Sequence, residues 1–140
     1  MRHRKHGGKL HRTVAHRDAL LRNMSKALIL EERIETTVVK AKELQKFVDP
    51  LINAAKNDSL SSRRTVLRVL GLHFNELSPK ERRRAKNGDV SAYNADRLIL
   101  NKLFGEIGPK YKERSGGYTR IVKTGFRVGD AASLCIIECV

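Results

Sequence analysis

Apolar residues return every three or four positions through the first part of this chain. This period predicts one helix over residues 13–31 and a second over residues 38–57. The inward positions of the first helix are Leu20, Leu21, Met24, Ala27 and Leu28. Those of the second helix are Ala41, Leu44, Val48, Leu51, Ile52 and Ala55. Between the two helices, residues 33–37 alternate and end in two threonines, which predicts a short strand.

Two further helices are expected downstream. Residues 61–70 predict a third helix with Leu67 and Leu70 facing inward. Residues 91–104 predict another, and the glycines at positions 105 and 108 are expected to end it, because glycine is a poor helix former. The residues expected to be buried in this helix are Leu98, Ile99, Leu103 and Phe104.

The C-terminal part of the chain predicts a β-hairpin. A strand over residues 118–123 and an apolar strand over residues 133–140 flank a turn around residues 125–130. With the strand at 33–37, these elements predict an α+β fold of two layers, in which a small sheet of about three strands is backed by helices. No repeat or linker divides residues 13–140, so we expect one globular domain there.

A basic segment at about residues 71–92 forms an insert in this domain. Ser78-Pro79-Lys80-Glu81 is a capping box with proline at the first helical position, and Asn87-Gly88 is a stop signal. Ala85 is the one apolar residue after the proline in the short helix so defined, so hydrophobic burial cannot hold this helix. We expect it to lie outside the fold and to contact RNA phosphates through Arg82, Arg83 and Arg84. A solvated helix without a partner is the alternative.

The net charge of +14 bears on the partner of this chain rather than on its fold. The first 17 residues contain no acid, and residues 1–12 have too few apolar side chains to fold alone, which predicts an extended basic arm. Such an arm suits a phosphate backbone, because lysine and arginine release counterions from it. A solvated tail is the alternative. The RNA contacts expected in the arm and in the helices after it are Arg2, His3, Arg4, Lys5, Lys9, Arg12, His16, Arg17, Arg22, Arg63 and Arg64.

The predicted hairpin offers a second place where phosphates can bind. A flexible turn containing Gly125, with cations on both sides, suits a clamp on a nucleic-acid backbone. An ordinary solvated turn is the alternative. Tyr118, at the start of the first strand, either packs beneath the sheet or stacks on a base. The residues expected to form this clamp and its lead-in are Arg114, Gly116, Gly117, Arg120, Lys123 and Arg127.

The sequence contains no recognisable catalytic centre or cofactor motif. It has neither a phosphate-binding glycine loop nor a nucleophile paired with a base. Cys135 and Cys139 lie roughly 13 Å apart along a predicted strand, so we expect no disulfide and no shared metal ion. We likewise expect no cofactor and no small-molecule substrate. Without a membrane-length apolar run or an export signal, we expect a cytoplasmic location.

Several stretches resemble the bacterial ribosomal large-subunit protein 17 family. The most specific is RSGGYTRI at residues 114–121, which leads into GFRVGD at residues 125–130. The others are MRHRK at 1–5, HR at 16–17, RNM at 22–24, RIETT at 33–37, KAKEL at 40–44 and PLI at 50–52. The resemblance covers residue 1 to about residue 70 and about residue 97 to the end.

The resemblance implies a structural protein of the large ribosomal subunit that binds 23S rRNA near the exit-tunnel side, beside other large-subunit proteins. The insert departs from the family pattern, in which a short link joins the flanking helices. Two other classes stay open. A nucleoid-type DNA-binding protein would share the charge, and it would show a dimer interface or a recognition helix. An RNA-processing enzyme would need a carboxylate or histidine centre.

Overall fold

The computed structural model describes residues 7–140. The fifth helix is followed directly by a π-helical turn, Leu103–Ile107, and by a short helix, α6, Gly108–Lys110. The expected α+β fold, with helices packed against a three-stranded sheet, is confirmed. The other elements in chain order are α1 (Val14–Glu31), β1 (Arg33–Thr37), α2 (Val38–Lys56), α3 (Leu60–Leu70), α4 (Pro79–Lys86), α5 (Ala95–Lys102), β2 (Thr119–Phe126) and β3 (Ser133–Cys139).

The C-terminal strand occupies the middle of the sheet. β3 pairs antiparallel with β1 on one side and with β2 on the other, which gives the order β1-β3-β2. The predicted hairpin of β2 and β3 is therefore confirmed, and β2 continues to Phe126 instead of ending at Lys123. One face of β3 carries Cys135 and Ile137, which are fully buried against the helices.

Helix α2 lies at the centre of the core and holds the base of the hairpin. All six inward residues predicted for it are buried, and the helix runs through Pro50 without a break. Gln45 Nε2 donates a hydrogen bond to the carbonyl oxygen of Thr119 at 3.0 Å. The Thr119 hydroxyl donates to Asp49 Oδ1, also at 3.0 Å. Burial raises the pKa of Asp49, and the hydrogen bond from Thr119 opposes that rise.

The fifth helix begins later than its apolar pattern predicts. The helix was predicted to begin near Ser91, but its N-terminal cap is Asn94. The Asn94 side-chain oxygen accepts a hydrogen bond from the Arg97 amide at 3.1 Å. Leu98 was expected to be buried, but it is 37% exposed, and Leu100 is buried instead. With apolar residues at three consecutive positions, 98–100, the sequence does not reveal which of them face the core.

Glycines 105 and 108 do not end this helix, contrary to the prediction. The chain continues through the π-helical turn into α6, with Pro109 in the first turn of α6. Gly108 is buried against α2, and a Cβ added there would lie 2.6 Å from the carbonyl oxygen of Ala55. This glycine therefore permits close packing of two helices, which a sequence pattern cannot distinguish from helix termination.

The basic insert is anchored to the body of the protein at its start, and Asn75 Nδ2 ties its end to its start by donating a hydrogen bond to the Ala92 carbonyl oxygen at 2.8 Å. Leu72, at its start, is buried in the core. The Asn75 side-chain oxygen accepts a hydrogen bond from Arg97 Nε at 3.0 Å, and the Asn75 carbonyl accepts one from Arg97 Nη2 at 2.7 Å. The part that projects from the core is therefore narrower than residues 71–92 and comprises residues 76–91, including α4.

Candidate nucleic-acid interface

The second half of the basic arm lies against α2. A Cβ added to Gly8 would lie 3.5 Å from the Glu43 side chain. Lys9 is exposed and has no side-chain partner within residues 7–140, whereas the guanidinium of Arg12 contacts the imidazole of His16 on α1. The arm residues predicted to bind RNA that lie outside the described residues are Arg2, His3, Arg4 and Lys5.

Three arginines on α1 and α3 are exposed and have no acidic partner within the described residues: Arg22, Arg64 and Arg68. Arg64 and Arg68 are one helical turn apart and line one shallow hollow on the surface of α3. Arg22 Nη1 lies 3.6 Å from the position a Cβ would take on Gly71, so its guanidinium reaches the C-terminal end of α3. These cations are available to an external anion. Arg17, on α1, is half-buried and also has no acidic partner within residues 7–140.

Arg63 differs from its neighbours on α3. Its guanidinium binds the carboxylate of Asp58 through Nε at 2.6 Å and Nη2 at 2.9 Å. Its guanidinium carbon lies 4.9 Å from the centre of the Phe104 ring. The Arg63 hydrogen bonds lower the pKa of Asp58. Arg63 therefore helps to hold the start of α3, and only its remaining N–H groups can reach RNA.

Helix α4 is stabilised by its N-terminal cap and not by burial of its side chains. The Ser78 hydroxyl accepts a hydrogen bond from the Glu81 amide at 3.3 Å, and the Glu81 carboxylate accepts one from the Ser78 amide at 2.7 Å, which completes the predicted capping box. The hydrogen bond from the Ser78 amide to this carboxylate lowers the pKa of Glu81. No residue of α4 is buried. Arg82, Arg83 and Arg84 are exposed and donate no side-chain hydrogen bond within residues 7–140.

The lead-in to the hairpin is fixed by side chains that sequence reasoning did not associate with it. Lys56 Nζ, on α2, donates to the carbonyl oxygen of Arg114 at 2.7 Å and to the Tyr118 hydroxyl at 3.2 Å. Arg114 Nε donates to the carbonyl oxygen of Gly116 at 3.1 Å. Gly117 has a φ of +62°, a left-handed conformation that favours glycine. The two glycines therefore shape the lead-in, and Arg114 remains exposed beside them.

Tyr118 packs beneath the sheet, which decides between its two predicted roles. It is 2% exposed, and its ring meets the Tyr111 ring edge-on with 5.4 Å between centres. Its hydroxyl donates to Asn53 Oδ1 at 3.2 Å. A tyrosine with this degree of burial cannot stack on an external base.

Two of the three cations predicted for the hairpin clamp are bound to acids of the same hairpin. Arg120 donates twice to Glu138, at 2.6 and 3.0 Å. Arg127 donates to both oxygens of Asp130, at 2.9 and 2.6 Å. The hydrogen bonds from Arg127 and from the Ala132 amide lower the pKa of Asp130 to about 2. Each guanidinium keeps further N–H groups, because arginine has five.

Lys123 is the third cation of the predicted clamp and is exposed. It makes no ion pair or side-chain hydrogen bond within the described part of the chain. Of the three cations, Lys123 alone is available in full to an external phosphate.

Comparison with known proteins gives the family. A model of the family described as Ribosomal protein L17 matches residues 20–140. The chain belongs to this family. It is 53% identical over 138 residues to the large ribosomal subunit protein bL17 of Protochlamydia amoebophila, with 99% of this chain and 97% of the relative covered. The proteins of the same name from Chlamydia pneumoniae and Chlamydia trachomatis are 50% and 46% identical over 138 residues.

Membership of the L17 family makes the chain a ribosomal protein with a structural role and not an enzyme. The matched region includes α4 and the rest of the basic insert. The match also includes the complete hairpin, with its lead-in and its tip. The RSGGYTRI and GFRVGD stretches lie in this part of the chain, so the resemblance to the family noted from these stretches is confirmed.

The cysteines of this L17-family chain are packing residues. Cys135 is fully buried, Cys139 is half-buried against the same core, and both are unbridged. Burial raises the pKa of Cys139 to about 11, so its thiol is protonated at neutral pH. Within residues 7–140 we find no group of three His, Cys, Asp or Glu side chains arranged to hold a metal ion. Among these residues, no helix has the length and apolarity required to cross a membrane.

Sequence reasoning missed two kinds of residue at this interface. The acids Asp130 and Glu138 bind the two hairpin arginines, and the spacing of Arg127 and Asp130 by three residues within a turn was the signal available for one of them. Phe126 and Val128 at the hairpin tip were also missed, although they are 73% and 103% exposed. An apolar residue within a predicted turn was the available signal.

Proposed function

We propose that this chain is a structural component of the large ribosomal subunit that binds 23S rRNA. Its relatives from Protochlamydia amoebophila and Chlamydia pneumoniae are named large ribosomal subunit proteins. The proposed place is the cytoplasmic ribosome, near the exit-tunnel side and beside other large-subunit proteins, as the family resemblance implies. The chain acts by neutralising rRNA phosphates and holding rRNA segments together, and it needs no cofactor or small-molecule substrate.

The observation that carries the proposal is the distribution of exposed cations without acidic partners. Arg22, Arg64 and Arg68 lie on the surface of α1 and α3, and Lys123 lies on the hairpin. Arg82 and Arg83 are exposed on α4, which projects from the body. The chain has 29 lysines and arginines but only 15 acids, so the net excess of 14 positive charges has no acid of this chain to balance it. Cations on several faces suit a protein that RNA surrounds.

The proposed contacts form three groups that act on phosphates in different ways. The arm supplies flexible cations, the helices supply cations at fixed spacing, and the hairpin clamp supplies Lys123 with the remaining N–H groups of its arginines. The proposed RNA-binding residues are Arg2, His3, Arg4, Lys5, Lys9, Arg12, His16, Arg17, Arg22, Arg63, Arg64, Arg82, Arg83, Arg84, Arg114, Gly116, Gly117, Arg120, Lys123 and Arg127.

The salt dependence of binding to a 23S rRNA transcript tests this proposal. Six phosphate contacts predict a loss of affinity of roughly a thousandfold between about 50 and 200 mM salt. Deleting residues 2–12 removes five cations, Arg2, Arg4, Lys5, Lys9 and Arg12, and should lower the slope of log K against log salt by roughly 4. The double substitution Arg64→Gln and Arg68→Gln should lower it by about 1.5.

A matched control removes two lysines that are also exposed but already paired. Lys46 lies 3.0 Å from Glu43, and Lys110 lies 3.9 Å from Glu32. Replacing both lysines with Gln should change the slope less than the arginine pair does. If the two pairs change it equally, fixed contacts on α3 are excluded. If duplex DNA competes as well as the rRNA transcript, the nucleoid-type alternative replaces the proposal.

A further inference from the structure

The tip of the hairpin exposes an aromatic ring that the fold does not use. Phe126 is 73% exposed and Val128 is 103% exposed, while the chain has only four phenylalanines and no tryptophan. A phenylalanine can bury roughly 150–250 Å² of surface, so exposing one forgoes a large part of the hydrophobic gain available to a small core. The exposed ring therefore indicates a binding partner outside the chain.

A β-bulge determines the direction of this ring. Lys123 pairs with Cys135 but Gly125 pairs with Leu134, so Thr124 is an extra residue in β2. The shift places Phe126 opposite Ser133, on the same sheet face as Lys123. Without the extra residue, Phe126 would share the opposite face with Val122. Gly125 adopts a φ of +151°, which favours glycine, so the local sequence supports the bulge.

The tip is rigid enough to present the ring in one orientation. The Arg127 amide donates to the Ala132 carbonyl at 2.9 Å, and the Ala131 amide donates to the Arg127 carbonyl at 2.9 Å. The Asp130 carboxylate accepts from Arg127 and from the Ala132 amide. These contacts fix the turn before any partner binds, so little ordering entropy remains to be lost on binding.

The charges around the ring indicate the chemistry of its partner. Lys123 lies on the same face as Phe126, and the two residues are within roughly 10 Å along the strand. The tip acid, Asp130, is already occupied by Arg127. An exposed aromatic ring beside an available cation is the arrangement found in sites for unpaired nucleotides, in which the base stacks and the phosphate meets the cation.

We infer that Phe126 stacks on an unpaired base of rRNA, with Lys123 on the adjoining phosphate and Val128 packing against the same nucleotide. This inference rests on the proposed rRNA binding and adds a mode of recognition to it. Stacking does not depend on counterion release, so the contribution of Phe126 is independent of salt, whereas that of Lys123 is not.

Tryptophan in place of Phe126 gives a direct test by fluorescence, because the natural chain contains no tryptophan. The full-length Phe126→Trp variant is titrated with a 23S rRNA transcript while its emission is recorded. Val122→Trp serves as the control, because Val122 is 44% exposed on the opposite face of the sheet. We expect Phe126→Trp to keep its affinity and to be quenched strongly, and Val122→Trp to be quenched less. Phe126→Leu keeps an apolar side chain without a π face and should bind roughly 5- to 150-fold more weakly, with an unchanged salt slope.

The outcomes separate this inference from the proposed function. Wild-type protein that fails to prefer the rRNA transcript over DNA contradicts the proposed function itself. Normal binding by Phe126→Leu, together with unchanged emission from the Phe126→Trp variant, overturns the stacking inference alone. If Phe126→Leu binds the transcript normally but is lost from reconstituted subunits, the tip contacts a neighbouring protein and the inference is also overturned. Because Phe126 is largely exposed, its variants should fold, which circular dichroism checks.

Discussion

The two ends of the β2–β3 hairpin are built from the same pair of strands but are stabilised in different ways. At the base, Tyr118 and Thr119 are buried, and α2 holds them through Asn53, Lys56, Gln45 and Asp49. At the tip, the turn after Phe126 is exposed and is closed by its own hydrogen bonds and by the pair of Arg127 with Asp130.

The difference shows which part of the hairpin serves the fold and which part serves a partner. Residues at the base contribute free energy of unfolding through burial, which is large for an aromatic side chain. Residues at the tip contribute little to stability, because exposed ion pairs are weak and exposed apolar groups gain nothing from folding. Substitutions at the two ends should therefore separate stability from RNA binding.

The largest effect is expected at the base. Tyr118→Ala removes the contact with Tyr111, the hydrogen bond to Asn53 and a partner of Lys56, and should lower the free energy of unfolding by roughly 3 to 5 kcal/mol. Chemical denaturation measures it. Phe126→Ala is the matched aromatic truncation at the tip, and it should change stability by less than about 0.5 kcal/mol. Equal losses would remove the distinction between the two ends.

A smaller effect is expected at the bulge that joins the two ends. Gly125→Ala puts a side chain on a residue with φ of +151° and should cost roughly 1 to 3 kcal/mol. The alternative is that the bulge shifts and Phe126 turns to the other face, in which case RNA binding falls while stability changes little. Gly116→Ala is the control, because φ there is not positive and a Cβ would meet nothing within 4 Å. A cost at Gly116 equal to that at Gly125 would contradict the account of the bulge.

Between base and tip, the two cysteines test burial along β3. Cys135→Ala should lower the free energy of unfolding by about 1 to 2 kcal/mol, and Cys139→Ala by less, because Cys135 is fully buried and Cys139 half-buried. The double variant should still enter ribosomal particles. Stoichiometric zinc in the purified protein that disappears in the double variant would contradict a packing role.

The smallest effect concerns the pair at the tip. The pKa of Asp130 is about 2, below its ordinary value of 3.8, so the ion pair is fully present above about pH 4 and is lost as the pH falls through about 2. NMR titration of the Asp130 carboxyl group measures this pKa. Arg127→Gln should return this pKa towards 3.8 without unfolding the protein. An unchanged pKa in that variant would mean that Arg127 does not hold the turn.

Local signals in the sequence determined several parts of this structure. The stripe of α2, from Ala41 to Ala55, is buried as its period predicts, because helical period and a single core leave it one orientation. The capping box at Ser78 and Glu81 formed as predicted, because it needs only residues within one turn. The hairpin also followed from its turn and strand residues, and the family from RSGGYTRI and GFRVGD.

Tertiary structure alone decided the contacts between residues far apart in the sequence. Gly108 permits a helix contact at Ala55, where the sequence pattern predicted an end to the helix. Glu138 reaches Arg120 only because the register of β2 and β3 places them opposite each other, and Lys56 meets Arg114 only through packing of α2. Periodicity specifies which residues share a face, but the element that packs against that face depends on how the whole chain folds. The exposure of Leu98 and the direction of Phe126 were decided in the same way, by tertiary packing and by strand register.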